Sequence, residues 1–163
     1  AAALAKLEET NRVIQSRGWW FNRETITLSP DTAGRIILPG DCLTARAANR
    51  LKRFAARGPV LYNLSDGTDI FTAQETVEVV RQVQFEYLED VVAIYIASCT
   101  VRDFQLTYDG DSDKARKLAQ TAEEHRIMLN AEETRNQPAN WIDSNINVAR
   151  LRSIVNNSRR YIR

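Results

Sequence analysis

The sequence predicts an α+β protein in which a helical bundle stands beside a small antiparallel sheet. Two observations carry this prediction. Apolar residues recur with helical spacing at both ends of the first 135 residues, and between these ends they follow the shorter period of strands, interrupted by turn-forming residues. The predicted helices cover residues 2–17, 86–108 and 112–135, and the β-rich part covers residues 19–85.

The length and composition of the chain suit one domain with an added extension. Of its 163 residues 44% are apolar, which is enough for a core. The regular patterns stop at Gln137, so we expect a single domain over residues 1–136 and a C-terminal extension over residues 137–163. No run of 18 apolar residues occurs, and the sequence therefore predicts no membrane span.

The first predicted helix, residues 2–17, is rich in Ala, Leu, Glu, Lys and Arg. We expect its apolar stripe to be formed by Leu4, Leu7, Val13 and Ile14. Gly18 follows at the position where a left-handed residue often ends a helix. The opening AAALAKLEETN lacks a basic start and a long apolar run, so we interpret it as a helix whose beginning is missing and not as a signal peptide.

Three consecutive aromatic residues, Trp19, Trp20 and Phe21, follow this glycine. In an extended strand Trp19 and Phe21 would point to one side and Trp20 to the other. We expect the first two to pack under the helix. Trp20 would then face either a second layer of the same chain or a neighbouring molecule.

The β-rich part contains several further strand and turn signals. Residues 29–34 predict a turn, and residues 35–42 predict a short strand that is broken at Pro39 and Gly40. A hairpin-like pair follows, with turns at residues 57–59 and 65–67. Residues 75–85 alternate and are β-branched, which predicts another strand.

The two long helices are predicted to pair as an antiparallel hairpin. The segment 91–97 is apolar nearly all round, so we expect the first of these helices to be buried on most sides. The acidic residues 109–113 suit the start of the second helix. That helix presents one amphipathic face, formed by Ala115, Leu118, Ala122, His125 and Leu129.

Charge is segregated along the chain although the net charge is only +1. Residues 1–60 carry a net charge of +5, residues 61–137 carry −8 and residues 138–163 carry +4. Such blocks suit the packing of identical copies against one another. The alternative is that the blocks neutralise each other within one monomer, and the sequence leaves both interpretations open.

The residues that carry most enzyme chemistry are nearly absent. His125 is the single histidine, and its helical spacing with apolar residues predicts a packing role. Cys42 and Cys99 lie too far apart in the sequence for a zinc motif, so we expect reduced core thiols, which suits a cytoplasmic origin. The sequence has no glycine-rich phosphate loop, and DGDSD lacks the later ligands of a calcium loop. We predict no catalytic residues, no cofactor and no metal.

A basic stretch, RAANRLKRFAAR at residues 46–57, is a candidate contact for DNA phosphates or for an acidic neighbouring copy. Its candidate residues are Arg50, Lys52, Arg53 and Arg57. The alternative is an ordinary exposed strand and turn.

The C-terminal extension is too apolar for a solvated linker and too sparse for a core helix. Segments of this kind usually fold onto another surface, and we favour a partner over the chain's own domain. Together with Trp20, the candidate partner contacts in it are Trp141, Ile142, Leu151, Arg152, Arg159, Arg160 and Tyr161.

Several stretches resemble the tail tubular protein A family of short-tailed bacteriophages. IQSRGWWFN at residues 14–22 is similar to the family's helix-to-strand pattern, and ITLSPD at residues 26–31 continues it. The resemblance resumes in FEYLEDVVAIYIASCTVRDFQLTYDGD at residues 85–111 and ends at NWID, residues 140–143. It leaves out the variable sheet around residues 35–75 and the last twenty residues.

This resemblance implies a non-enzymatic structural protein of the virion, made in the cytoplasm of the bacterial host. Family members form a ring, dodecameric in the best-known members, which is the head-to-tail adaptor between the portal and a tail nozzle of tail tubular protein B type. Double-stranded DNA passes through the ring during ejection without sequence readout. In related adaptors a C-terminal extension attaches to the portal, and we expect the same of residues 144–163. The competing hypotheses are a tail-associated cell-wall or polysaccharide hydrolase and a DNA-binding module.

Overall fold

The computed structural model describes residues 1–136 and confirms an α+β fold of three helices and small antiparallel sheets. A short 3₁₀ helix, Phe85–Tyr87, lies between the sheet and the second helix. The other elements are α1 (Ala2–Gln15), β1 (Arg23–Leu28), β2 (Cys42–Ala47), β3 (Phe54–Arg57), β4 (Val60–Asn63), β5 (Glu75–Arg81), α2 (Asp90–Tyr108) and α3 (Ser112–Asn136). No helix within the described part of the chain is long and apolar enough to cross a membrane.

The larger sheet is antiparallel with the strand order β1-β5-β2. Because side chains alternate between the faces of a strand, Val77 and Val79 of β5 point inward and are fully buried, whereas Glu78 lies on the outer face. The hairpin β3–β4 closes the core on the inner side. This sheet core consists of Ile36, Leu38, Ala45, Phe54, Leu61, Phe71, Val77 and Val79.

Two strand predictions in the β-rich part need correction. Residues 35–42 form no continuous strand: Arg35 and Ile37 make isolated bridges, and the strand β2 begins only at Cys42. Pro39 has no N–H to donate to a ladder, and its carbonyl accepts the N–H of Cys42 in a turn. Strand β5 ends at Arg81 and does not extend to residue 85, while the predicted hairpin turn at residues 57–59 is confirmed.

The aromatic stretch forms a turn, so the prediction of a strand over residues 19–22 was wrong. Asn22 N donates to Trp19 O over 3.2 Å, and Trp19 N donates to the Asn22 side chain over 2.8 Å. Trp19 is buried as predicted. Trp20 and Phe21 lie side by side in an edge-to-face contact, with ring centroids 5.3 Å apart, and do not point to opposite sides.

The three helices form a second core around Trp19, Val92, Ile96 and Leu129. Helix α3 agrees with its prediction, because its most buried residues recur every seven positions. These residues are Ala115, Ala122 and Leu129. Helix α2 begins at Asp90 and not at residue 86, since Leu88 and Glu89 have extended backbone conformations.

The buried faces of α1 and α2 differ from their predictions. In α1 only Leu7 and Ile14 of the predicted stripe pack against the bundle, whereas Leu4 and Val13 are exposed. The buried positions of α1 are polar: Thr10, Asn11 and Gln15. Helix α2 is not buried on most sides, because α1 and α3 leave one of its faces uncovered, and Ile94 is 46% exposed there.

Candidate functional site

The stretch that carries the family resemblance forms a joint between the helical bundle and the sheet. The side chain of Gln15, fully buried at the end of α1, donates to Val83 O over 2.7 Å and accepts from Val83 N over 2.8 Å. Its amide also donates to Asn11 Oδ1. Val83, two residues beyond the end of β5, therefore forms its backbone hydrogen bonds with a helix side chain.

Asn22 completes this joint from the other side of the turn. Its Nδ2 atom donates to Arg81 O over 2.9 Å and to Gln15 O over 3.1 Å, and its Oδ1 atom accepts from Trp19 N. Asn22 is 1% exposed, so these amide hydrogen bonds lie out of reach of solvent. Residue-by-residue reading of the sequence did not single out Gln15 or Asn22, because polar residues beside a helix end usually face water.

The candidate partner residue Trp20 is half-buried against its own bundle. Its backbone N–H donates to Glu133 Oε2 over 3.0 Å, which ties the turn to the last part of α3. The neighbouring Trp19 donates its indole N–H to Ile14 O over 2.9 Å. Trp20 thus has a structural role in the bundle, and its role at a partner surface stays a prediction.

The four basic candidates of residues 46–57 lie around the start and the end of β3. Two of them have local contacts: Lys52 forms an ion pair with Glu75 at 2.7 Å, and the guanidinium of Arg57 lies 3.4 Å from the ring centroid of Tyr62. Arg50 and Arg53 are exposed in the turn before the strand. These last two are the candidates best placed to meet an external anion.

The structure brings together a second basic group that sequence reasoning missed. Arg17, Arg23 and Arg46 surround a small cleft of about 130 Å³ on the outer face of the larger sheet, where Glu78 supplies the one carboxylate. Arg46 and Glu78 are paired in the strand register, and Arg23 is paired with Val80. No ion pair within residues 1–136 includes any of the three arginines.

His125 and the two cysteines are packing residues. Nδ1 of His125 lies 2.6 Å from Ser98 Oγ, which also donates to Ile94 O, so this pair links α3 to α2. Burial raises the pKa of both the Cys42 and the Cys99 thiols, which favours their protonated form. No group of metal-ligating side chains occurs within residues 1–136.

The acidic turn before α3 is a helix start, as predicted. Asp111 Oδ1 accepts the backbone N–H groups of Asp113 and Lys114 over 3.0 and 3.1 Å. Its hydrogen bond from the Lys114 backbone is the main reason that the pKa of Asp111 is lowered from its ordinary value. The acidic residues therefore cap the helix.

The remaining predicted contacts lie outside the described residues. They belong to the C-terminal extension and comprise Trp141, Ile142, Leu151, Arg152, Arg159, Arg160 and Tyr161.

Comparison with known proteins shows the family of the chain. A sequence model of the family described as tail tubular protein matches residues 1–139. The chain belongs to this tail tubular protein family. It is also similar to tail tubular protein A of Klebsiella phage KP34, with 28% identity over 139 residues, which cover 84% of this chain and 75% of that protein.

Membership of this family determines the general class of function. Tail tubular proteins are structural components of the phage tail, and they are not enzymes. The buried hydrogen bonds of Gln15 and Asn22 join two parts of the fold, which agrees with a structural role.

Proposed function

We propose that the chain is the head-to-tail adaptor of its phage and forms a ring, dodecameric in the virion, between the portal and a nozzle of tail tubular protein B type. Double-stranded DNA passes through this ring during ejection without sequence readout. The proposal includes synthesis in the host cytoplasm, a single adaptor domain over residues 1–136 and an extension over residues 137–163. It is based on the family membership and on two basic surfaces, the arginine group of the larger sheet and the turn before β3.

The observation that carries the proposal is the group of Arg17, Arg23 and Arg46 on the outer sheet face. Three guanidinium groups around one carboxylate, Glu78, leave an excess of positive charge, and no ion pair among residues 1–136 balances it. Guanidinium groups pair well with carboxylates of another molecule. A neighbouring copy has many acidic residues to offer, since residues 61–137 carry a net charge of −8. The uncompensated arginines therefore support the interpretation that the charged blocks pair between neighbouring copies and do not neutralise each other within one monomer.

Rigid coupling of the bundle to the sheet suits a ring subunit. Because Gln15 and Asn22 hold both parts through buried hydrogen bonds, a contact made by the sheet also fixes the orientation of the helices. Each copy can then present one rim to the portal and the other to the nozzle. For the portal we propose the C-terminal extension, with Trp141, Leu151 and Tyr161 among its contacts, and Trp20 beside it.

DNA contacts would be made by Arg50 and Arg53, which are exposed and lie in a turn. A channel through which DNA must slide should bind it weakly and lose it as salt rises. A dedicated DNA-binding module would instead retain DNA until the salt concentration is high.

The test is the molar mass of the chain by light scattering after size exclusion, first alone and then with the purified portal ring. We expect a stoichiometric complex of about one chain per portal subunit. The variant Arg46→Glu should lower this stoichiometry, whereas Arg53→Glu, with the same change of charge, should leave it unchanged and weaken DNA retention. Failure of the parent chain to co-elute with the portal at any salt concentration would exclude the adaptor.

A further inference from the structure

The segment that joins β5 to α2 presents an exposed tyrosine among carboxylates. Tyr87, in the short 3₁₀ helix, is 76% exposed. Glu86 precedes it, and Glu89 and Asp90 follow at the start of α2; all three are exposed. None of these three carboxylates forms an ion pair within residues 1–136. We name these four residues the acidic patch.

Other carboxylates of the acidic block are balanced within their own chain. Those from Asp103 to Asp113 pair with a Lys or Arg close in sequence, and so do Glu123 and Glu132. The start of α2 does not use the patch either, because the side chain of Glu89 forms no cap hydrogen bond. The charge of the acidic patch is therefore left for another molecule.

A groove beside the acidic patch adds a further carboxylate and apolar surface. It has a volume of about 550 Å³, lies between α1 and the chain that follows β5, and is lined by Glu8, Glu86 and Leu4 among others. Leu4 is 60% exposed, and Arg12 is the basic residue of the lining. An arginine side chain has an apolar stem and a charged head, so carboxylates beside apolar surface suit it.

The arginine group of the larger sheet has the opposite charge and also lacks ionic partners. Arg17, Arg23 and Arg46 are all exposed. The guanidinium of Arg17 lies 5.0 Å from the ring centroid of Trp19, and Arg23 donates to Gly18 O. These contacts hold two of the guanidinium groups in place and leave their positive charge without a carboxylate.

The arginine group and the acidic patch do not meet within one chain. No ion pair among residues 1–136 joins them, and buried hydrogen bonds of Gln15 and Asn22 fix the bundle against the sheet. Their attraction can thus act only between copies. Because two different surfaces would meet, the contact is head-to-tail, and contacts of this type close into rings.

We propose that the arginine group of one copy binds the acidic patch of the next copy. The carboxylates of Glu86, Glu89 and Asp90 accept guanidinium N–H groups, and the ring of Tyr87 packs against a guanidinium plane. Tyrosine and arginine are both frequent anchors of protein interfaces. This contact rests on the proposed adaptor function, since it names the two surfaces by which the copies of its ring meet.

Two charge-reversed variants that restore each other test the contact in the full-length chain. The first combines Arg23→Glu with Arg46→Glu, and the second combines Glu86→Arg with Glu89→Arg. Each by itself places like charges at every contact between copies, so the chain concentration that saturates the portal ring should rise about tenfold or more. In an equimolar mixture the two variants can alternate around the ring and pair opposite charges at every contact. The mixture should saturate the portal within about threefold of the parent concentration.

Matched controls separate this contact from a general effect of charge. Arg50→Glu with Arg53→Glu changes the net charge as the first variant does, and Glu124→Arg reverses an exposed carboxylate of α3. Both should saturate the portal as the parent does. Thermal unfolding at the parent temperature would show that each variant is folded.

A cross-link tests the contact without the portal. Arg46→Lys keeps the positive charge and supplies an amine, which a carbodiimide joins to a carboxylate in contact with it. In a concentrated mixture of isotopically labelled and unlabelled chains, peptide mass mapping should find position 46 of one chain joined to Glu86, Glu89 or Asp90 of another.

Three results would overturn the inference. Saturation by the second variant at the parent concentration would show that the acidic patch takes no part. Two folded, defective variants that do not restore each other would assign both surfaces to the portal, and the adaptor function would stand. Absence of the cross-link between chains would exclude the contact even if the parent chain binds the portal. If the parent chain fails to bind the portal, the adaptor function fails, and the cross-link still decides whether the two surfaces meet.

Discussion

Gln15 and Val83 exchange two hydrogen bonds, although 68 residues separate them in the sequence. The helix side chain uses both ends of its amide, as a strand partner would use its backbone N–H and C=O. The segment that follows β5 is thereby attached to the end of α1. This pair explains why the sheet and the helical bundle keep a defined relation.

Replacing Gln15 with Leu should lower the free energy of unfolding by about 2 kcal/mol, because the part-buried N–H and C=O of Val83 lose their partners. Urea denaturation would measure this loss. The control Gln120→Leu removes an exposed glutamine from α3 and should change stability by less than about 0.5 kcal/mol. Equal stability of the two variants would mean that the hydrogen bonds between Gln15 and Val83 do not stabilise the fold.

Gly18 is expected to be the glycine least tolerant of alanine. Its φ angle is +79°, and a Cβ atom there would lie 2.8 Å from Val80 Cγ2. Gly110 has a φ angle of +67° and open space around it, so Gly110→Ala should cost only the backbone strain, about 1 kcal/mol. Gly18→Ala should lower the free energy of unfolding further, because the new Cβ atom also clashes with Val80. Thermal unfolding of the two variants measures the difference in stability. If Gly110→Ala proved as destabilising as Gly18→Ala, the close approach to Val80 would be unimportant.

The helical core should respond strongly to truncation at Leu129, which is fully buried beside Trp19, Val92 and Ile96. Leu129→Ala is expected to lower the free energy of unfolding by about 3 kcal/mol, through lost burial and the cavity left behind. Ile127→Ala, two positions away and 58% exposed, should change it by less than about 1 kcal/mol. Denaturant titrations of both variants would check the contrast, and similar losses would argue against this core.

The cap at Asp111 should make the stability of α3 depend on pH. The folded-state pKa of this carboxyl lies below its ordinary value of 3.8, so the carboxylate stabilises the fold above that value. The stabilisation is lost as the pH falls through the folded-state pKa. Asp111→Ala should therefore be less stable than the parent protein at pH 7. The difference in their free energies of unfolding should become smaller below about pH 4. A stability difference that stays constant down to pH 2 would contradict this prediction. The control is Asp113→Ala, which removes an exposed carboxylate from the same turn.

Local patterns in the sequence were sufficient for much of the fold. The helical spacing of apolar residues from Ala115 to Leu129 predicted α3 and its buried face, and the acidic residues before it predicted its start. Gly58 and its neighbours predicted the β3–β4 turn. Such features depend on residues within a few positions of one another, so their periods and turn preferences can be read directly from the chain.

The tertiary structure decided the features that depend on distant partners. Gln15 and Asn22 are polar residues that the sequence pattern did not place in a core, but both are buried and form hydrogen bonds with Val83 and Arg81. The arginine group on the sheet could not be predicted because it requires the register of β1 and β2 against β5. The sequence by itself determined which segments become helices and hairpins, and the class of structural protein to which the chain belongs. Packing decided which polar side chains join those segments and which apolar faces stay exposed. The sequence could not show this, because hydrogen bonds between distant residues leave no periodic pattern in it.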